Sequence, residues 1–406
     1  MPSPIYPSTK NRIEVVDALR GFALAGIILL HNIQHFNFKH TAELNPSWLH
    51  TSDQVISAII PFFFGGKAYA IFSILFGFSF WIQYSHRKAK GKPFSKRFSW
   101  RMLLLFGFGL FHTIFYNGDI LTFYAIFSIL LILTRKWSDR AILTLAICFL
   151  LQPLEWIKFA IATQNPAFHF HDSVTLYNAI FSQARMEGSF WELIQLNFTT
   201  GQLANIGWVW EYGRFCQAPG LFLLGSYFAR RKMFSNICPK TWKRIGLSSF
   251  IINILLVPVA ILLFSHLKER SPLDFVGIAL WMYSCLSATL LMLSILCLCW
   301  YYFKKFSNVF GLIAPYGRMS LTNYITQSAI GTTFYFSYGL GLYKYCGPTL
   351  SMGIGISTLL AQILFSRWWL NHHKQGPLEW LWKKATWVGV KKNPIPESRV
   401  SGAAEA

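Results

Sequence analysis

Two ionisable side chains lie in the first strongly apolar segment of the chain, where Arg20 precedes His31. An α-helix turns ~100° per residue, so the eleven steps between them place His31 within roughly 20° of Arg20 and about 17 Å farther along the axis. Histidine suits general-base chemistry near neutral pH, and arginine binds phosphate or carboxylate. Because ionisable groups inside hydrocarbon need partners or a polar cavity, the pair indicates a functional site. The alternative is an interfacial structural arginine and an unrelated packed histidine.

Further polar side chains occur in or beside other apolar segments. His112 is a second candidate base, and Asp119 follows Asn-Gly in a turn. Asp119 is placed either to orient a histidine from another helix or to cap the helix that follows it. Asp17 lies three residues before Arg20, on the same helical face, and is expected to pair with it.

The segment beginning at Gly317 is unusually polar for the start of an apolar stretch. Its polar residues recur every three or four positions and therefore share one helical face: Ser320, Asn323, Tyr324 and Gln327. Arg318 beside this face would suit a phosphate or carboxylate. Interhelical hydrogen bonding is the alternative role for such residues.

The composition indicates a polytopic membrane protein. The 406 residues are 53% hydrophobic and 13% charged, whereas soluble domains carry about 25% charged residues. The net charge of +21 resides in short loops between apolar runs, which argues against a nucleic-acid partner and fits lysine and arginine retained at the cytoplasmic side of a lipid bilayer. The seven cysteines have no metal-ligand spacing, so neither a metal site nor a disulfide framework is expected.

Stretches long enough to cross ~30 Å of hydrocarbon predict an all-α, polytopic transmembrane helix bundle of about ten spans. The spans are predicted near residues 18–37, 67–85, 100–116, 119–135, 140–161, 204–229, 244–266, 275–300, 311–336 and 349–370. The segment 55–64 is too short to cross alone and is expected to lie along the interface or to re-enter. The polar N-terminus shows no removable signal peptide, so the first span is expected to remain.

Basic loops set the predicted orientation, because cytoplasmic loops are enriched in lysine and arginine. Basic residues follow the second, fourth, sixth and eighth spans, within 87–97, 135–140, 230–244 and 304–305. Both termini are therefore predicted to be cytoplasmic. This gives a cytoplasmic segment 1–17, a transmembrane bundle 18–370 with a long extracytoplasmic loop 162–203, and a basic cytoplasmic tail 371–406 that includes an amphipathic helix at the inner interface.

Four segments together resemble one family. They are Asp17-Ala-Leu-Arg-Gly-Phe-Ala23, Gly118-Asp-Ile-Leu121 with Tyr124, Gly317-Arg-Met-Ser-Leu-Thr-Asn-Tyr324, and Gly376-Pro-Leu-Glu-Trp-Leu-Trp382. In this order they are similar to the YeiB-like family of bacterial inner-membrane proteins, which carries a domain of unknown function numbered 418. The resemblance spans nearly the whole chain and implies a multi-pass protein of the bacterial inner membrane.

That family in turn resembles the integral-membrane acyltransferases, which modify sugars and other exported molecules. Those enzymes have an arginine or lysine followed by a histidine in the first span, a pattern that Arg20 and His31 match. The resemblance implies that acyl-CoA is the donor, without a tightly bound cofactor, and that a small molecule or glycan is the acceptor. Two arginines at the cytoplasmic start of the third span are matched loosely by Arg97 and Arg101.

The sequence therefore leads to a hypothesis of acyl transfer across the membrane. His31 would be the general base and Arg20 would position a polar substrate group. Donor phosphates would contact Arg97, Arg101 and Arg318, whereas His112 and Asp119 would line the acceptor side, and Asn323 and Tyr324 would contribute to substrate binding. The alternatives are a transporter of a small molecule and a non-catalytic membrane protein. The oligomeric state is not determined by the sequence.

Overall fold

A computed structural model describes residues 13–37, 46–165, 167–266 and 271–388. The first twelve residues of the predicted N-terminal segment and residues 389–406 of the predicted tail lie outside the described residues, as does residue 166 of the predicted long loop. Within these ranges the chain is helical and contains no β-strand. The predicted all-α class is therefore confirmed for the described part of the chain.

Eighteen α-helices are present in the described ranges. They are α1 (Glu14–Leu30), α2 (His50–Phe64), α3 (Lys67–Ala89), α4 (Ser95–Thr113), α5 (Leu121–Thr134), α6 (Asp139–Leu150), α7 (Pro153–Gln164), α8 (Ser173–Glu187), α9 (Phe190–Phe198), α10 (Thr200–Glu211), α11 (Arg214–Arg230), α12 (Pro239–His266), α13 (Leu273–Tyr302), α14 (Lys304–Gly311), α15 (Ala314–Arg318), α16 (Ser320–Tyr335), α17 (Pro348–His372) and α18 (Pro377–Thr386). A π-helical segment, His31–Phe36, continues α1 without a break, and short 3₁₀ turns precede α2 and α17.

Within the described ranges, six helical segments are long and apolar enough to cross a membrane. They are Glu14–Phe36, Ser47–Ala89, Asp139–Gln164, Pro239–Leu263, Leu273–Tyr302 and Pro348–His372. Helix α5 is apolar but shorter. These segments indicate a membrane protein, while the number of ten spans and the sides of the termini stay predictions.

Three of the predicted spans are interrupted. The predicted span 311–336 is divided between α15 and α16, which are separated at Met319. The predicted span 140–161 consists of α6 and α7, which are separated at Gln152, where φ is +54°. Pro153 begins α7, because its missing N–H group is tolerated at a helix start but not in a helix interior. The predicted span 204–229 likewise consists of α10 and α11, separated at Gly213 with φ +68°.

Glycines allow two pairs of helices to approach each other closely. A Cβ atom on Gly77 of α3 would lie 1.9 Å from the carbonyl oxygen of Phe222 in α11, and one on Gly225 of α11 would lie 1.8 Å from that of Ile74. Such distances leave no room for any side chain. Close backbone approach through small residues is typical of helix packing in membranes.

Helices α1 and α15 also approach each other closely through glycines. A Cβ atom on Gly317 would lie 2.0 Å from the carbonyl oxygen of Asp17, and one on Gly21 would lie 2.5 Å from that of Ile313. Gly21 and Gly317 come from two of the four segments that carry the YeiB-like resemblance. Their glycines therefore form one helix contact.

Helices α3 and α11 run parallel. The Arg214 guanidinium lies 5.2 Å from the Tyr69 ring near the start of both helices, and that of Arg230 lies 3.8 Å from the Trp81 ring near their ends. At this second end Arg230 also donates to the carbonyl of Arg135, at 3.1 Å. The loops after the fourth and sixth predicted spans consequently meet at one end of the molecule.

Candidate functional site

A cavity of about 2000 Å³ lies within the helix bundle beside α1. Arg20 and His31 both line it. At 1.5 Å per residue, the eleven residues between them correspond to about 17 Å along the helix axis. The helical register predicted from the sequence therefore places both side chains at one cavity, one near the beginning of α1 and the other beyond its end.

Arg20 is held in place by two neighbours. Its Nη1 atom lies 2.7 Å from Oδ1 of Asp17, and its Nη2 atom donates to the Ser79 hydroxyl of α3. The predicted pairing with Asp17 is thus present. Because the Arg20 side chain retains 21% exposure, the ion pair orients it without removing it from the cavity.

His31 lies where the α-helix widens into a π-helical segment. Its Nδ1 atom is buried and has no hydrogen-bond partner in the part of the chain that the structure describes. The ring lies 5.1 Å from the His35 ring and 5.4 Å from the Tyr116 ring. Buried polar atoms are normally hydrogen-bonded, and π-helical turns are frequent at functional sites. His31 is therefore oriented by ring contacts, and its buried Nδ1 atom makes no hydrogen bond within the described residues.

The cavity is strongly cationic. Among the described residues, eight lysines and arginines line it against one carboxylate, that of Glu379. The eight are Arg20, Lys67, Arg101, Arg185, Arg214, Arg318, Lys374 and Lys383. Cations that converge on one space attract an anionic ligand and disfavour a cationic one.

We call Arg20, Arg101, Arg318, Lys374 and Lys383 the basic end of the cavity. These residues come from α1, α4, α15 and the segment around α18. The guanidinium of Arg101 stacks 3.9 Å above the Trp382 ring, and the indole N–H of Trp382 donates to the Arg101 carbonyl at 2.9 Å. Helix α18 is thereby attached to α4. Arg97, which was predicted beside Arg101, does not line the cavity and instead donates to the carbonyl of Thr386.

Glu379 joins the basic end to the first turn of α16. It accepts hydrogen bonds from the backbone N–H groups of Leu321 and Thr322, at 2.7 and 3.1 Å, and from the Thr322 hydroxyl at 2.6 Å. A helix start leaves such N–H groups without intrahelical partners, and a carboxylate is a favourable acceptor for them. Burial raises the pKa of the Glu379 carboxyl, and these hydrogen bonds oppose that increase.

His112 and Asp119 do not line the cavity, which corrects their expected place on the acceptor side. His112 Nδ1 lies 2.9 Å from Asp119 Oδ1, and Nε2 lies 2.7 Å from the hydroxyl of Ser328 in α16. The three side chains are arranged as in an Asp-His-Ser triad. Each is fully or almost fully buried, so a substrate in the cavity does not reach them. Their role in this conformation is to connect α4, the α5 turn and α16.

Both predicted roles of Asp119 are present. Its Oδ1 atom orients His112, and its Oδ2 atom accepts from the backbone N–H of Thr122 at 2.8 Å in the first turn of α5. The histidine belongs to the preceding helix. One carboxylate thus serves as a helix cap and as a histidine partner.

The predicted polar face of α16 divides between the cavity and the helix interface. Ser320 and Tyr324 line the cavity. Asn323 instead donates to the Tyr316 carbonyl at 3.0 Å and to the Ser366 hydroxyl at 2.9 Å, so it stabilises packing against α15 and α17. Tyr324 separates His112 from the cavity, since their ring centroids are 4.7 Å apart.

Several charged cavity residues were absent from the sequence-based candidates, among them Lys67, Arg185 and Glu379. Lys67 directly follows Gly65-Gly66 and begins a span, which in sequence looks like an interfacial anchor. Arg185 belongs to the long loop predicted to be extracytoplasmic, yet it is buried and donates to Asn117 at 3.1 Å. No cluster of three or more metal-ligating side chains occurs in the described ranges.

The helices and the cavity together define a polytopic helical membrane protein with a cationic internal site. Residues 228–389 match the family described as protein of unknown function (DUF418). The chain is 26% identical to the uncharacterized protein YxaH of Bacillus subtilis (strain 168), over 95% of this chain and 97% of YxaH. It is 27% identical to the uncharacterized protein YeiB of Escherichia coli (strain K12), over 93% of this chain and 96% of YeiB. The predicted YeiB-like resemblance is therefore confirmed.

A third relative is an uncharacterized 39.9 kDa protein in the amylase 3' region of Bacillus acidopullulyticus, which is 27% identical over 95% of this chain and 96% of its own length. No solved structure matches significantly. The relatives' names carry no activity, so a proposal about function has to come from the cavity.

Proposed function

We propose that this protein is an acyltransferase of the bacterial inner membrane that moves an acyl group from a cytoplasmic acyl thioester to an acceptor at the extracytoplasmic side. The observation that carries the proposal is one cavity lined by Arg20, by His31 and by the basic end. Such a cavity gives a donor and an acceptor a common space within the bundle.

The basic end suits the phosphates of a donor such as acyl-CoA. Arginines bind phosphate through two parallel hydrogen bonds, and lysines add positive charge. Arg101 is already oriented by Trp382, and Arg20 by Asp17. Between Arg20 and His31 the cavity wall includes Ile27 and apolar side chains of α3 and α4. These apolar side chains would contact the acyl chain of the donor.

His31 would act as the general base. It accepts the proton of the acceptor hydroxyl or amine while that oxygen or nitrogen attacks the thioester carbonyl carbon. The carbon–sulfur bond then breaks, and the departing thiolate takes up a proton, so the products are the ester or amide and the free thiol. A base within hydrogen-bond reach contributes typically 10²–10⁴-fold to such a reaction.

Replacement of His31 by glutamine tests the proposal. We expect acyl transfer from radiolabelled acyl-CoA, and release of free CoA, to fall by at least about 10²-fold. His50→Gln is the matched control, because His50 is exposed on α2 and away from the cavity lining. Equal CoA release by the wild type and His31→Gln would refute the mechanism.

Transport of an anionic small molecule is the second candidate. The apolar stretch formed by α10 and α11 is interrupted at Gly213. Interrupted helices at binding sites are common in secondary transporters. Under this alternative, cells that lack the protein would accumulate or lose a solute, whereas acyl transfer predicts the loss of an acyl modification. Comparison of exported glycans and lipids by mass spectrometry distinguishes the two.

A further inference from the structure

The start of α3 and the start of α11 bring two cations to one part of the cavity wall. Lys67 is the first residue of α3 and Arg214 is the first residue of α11. Both line the cavity, although they are only 7% and 6% exposed. Because α3 and α11 run parallel from this point, their positive helix-dipole ends lie at the same level.

Glycines with positive φ permit this arrangement. Gly66 precedes α3 with φ +72°, and Gly213 precedes α11 with φ +68°. A Cβ atom on Gly66 would lie 3.3 Å from Nη2 of Arg214 and 2.9 Å from the sulfur of Cys285. The Arg214 guanidinium therefore packs directly against the residue before Lys67.

Neither cation is neutralised by a carboxylate of the described chain. Lys67 has no hydrogen-bond acceptor or ion-pair partner there, and its Nζ lies between the rings of Phe62 and Trp281, at 5.7 and 5.4 Å. Arg214 donates to Gln217, and its Nε atom is buried without a hydrogen-bond partner. An unpaired buried cation is costly, and two side by side cost more. An anion between them would remove that cost.

We propose that Lys67 and Arg214 form a binding site for one phosphate or carboxylate group of a ligand that occupies the cavity. Aromatic rings flank both cations: Phe62 and Trp281 lie beside Lys67, and Tyr69 and Trp208 lie beside Arg214 at 5.2 and 5.1 Å. The site is separate from the basic end and does not depend on acyl transfer. It serves an anionic substrate of an enzyme or of a transporter equally well.

The site is tested by binding without turnover. Purified protein in dodecyl maltoside micelles is titrated with inorganic phosphate and, separately, with dodecyl phosphate, and its melting temperature is followed by tryptophan fluorescence. A ligand that binds only the folded state raises the melting temperature as its concentration increases. Stabilisation by inorganic phosphate indicates a site for the free anion, and stabilisation by dodecyl phosphate alone indicates a headgroup attached to an apolar chain.

The variants Lys67→Gln and Arg214→Gln are expected to weaken the apparent affinity for the stabilising probe at least about ten-fold. Lys67→Arg keeps the charge and should restore binding. Without probe, Lys67→Gln should melt no lower than the wild type, because an unpaired buried charge is removed; a purely structural lysine would give a lower melting temperature. Lys304→Gln, at an exposed lysine of α14, is the matched control.

Two results would overturn the site. The first is the absence of stabilisation by either probe. The second is an undiminished shift in Lys67→Gln and Arg214→Gln, because anions would then bind elsewhere, for example at the basic end. Loss of acyl transfer in His31→Gln with unchanged probe binding would separate this site from the proposed reaction.

Discussion

At the scale of single residues, the candidate side chains identified from the sequence occupy different environments in the structure. Arg20 and His31 share a cavity, whereas His112 and Asp119, equally plausible as catalytic residues, are enclosed between helices. The difference is access, since chemistry requires that a substrate reach the group. Glu379, which the sequence reading did not select, accepts three hydrogen bonds at the start of α16.

Glu379 is expected to make stability depend on pH. Because burial raises the pKa of its carboxyl in the folded state, the folded state binds the proton more tightly than the unfolded state does. The associated stability is complete below the ordinary carboxyl pKa of about 4.3 and is lost as the pH rises through the higher folded-state pKa. Glu379→Gln, which cannot ionise, should remove this decrease.

The measurement is the melting temperature of the wild type minus that of Glu379→Gln across the mildly acidic to neutral range. The difference should decline as pH rises. Glu187→Gln, at an exposed glutamate of α8, should give a difference without that slope. A difference between the wild type and Glu379→Gln that does not change with pH would mean that the hydrogen bonds of Glu379 with α16 offset the effect of its burial completely.

At the scale of helices, close backbone contact organises the wall of the cavity. The contact of α3 with α11 places Lys67 beside Arg214, and it depends on Gly77 and Gly225. In a membrane the hydrophobic effect does not drive helices together, so dispersion contacts between close backbones supply much of the association. Loss of that contact should affect both folding and the cavity.

We therefore expect Gly77→Ala and Gly225→Ala each to destabilise the protein by about 1–3 kcal/mol, the usual cost of overpacking. Gly107→Ala is the control, because a Cβ atom at this exposed position of α4 would meet nothing within 4 Å. Alanine favours a helix over glycine by about 1 kcal/mol, so the control should be neutral or stabilising. Denaturant unfolding in detergent measures all three, and equal effects would contradict the packing argument.

At the scale of the whole molecule, the basic loops gather at one end. Arg87 and Arg97 both stack over Trp387 after α18, and Arg230 contacts the loop after α5. The gathering fits the cytoplasmic side predicted from the positive-inside rule. The basic end of the cavity lies at this same end of the molecule, since Arg101 stacks on Trp382 of α18.

Reporter fusions check this orientation. A cytoplasm-active fluorescent protein should work when joined after Val388, and alkaline phosphatase, which needs an oxidising compartment, should be active when inserted near Ala167. Phosphatase inserted after Lys92 should be inactive. Phosphatase activity at Lys92 together with inactivity at Ala167 would reverse the orientation and place the basic end outside.

The sequence by itself determined the membrane class, the helical periodicity of Arg20 and His31 and the YeiB-like resemblance, because apolar length, register along one helix and motif order are local properties of the chain. It did not determine that α6 and α7, or α10 and α11, are separate helices, because left-handed residues at Gln152 and Gly213 interrupt continuous apolar stretches. Only the tertiary structure decided which polar groups meet. Lys67 and Arg214 come together, and His112 becomes enclosed, through contacts between helices that are distant in sequence. A local sequence pattern does not predict such contacts.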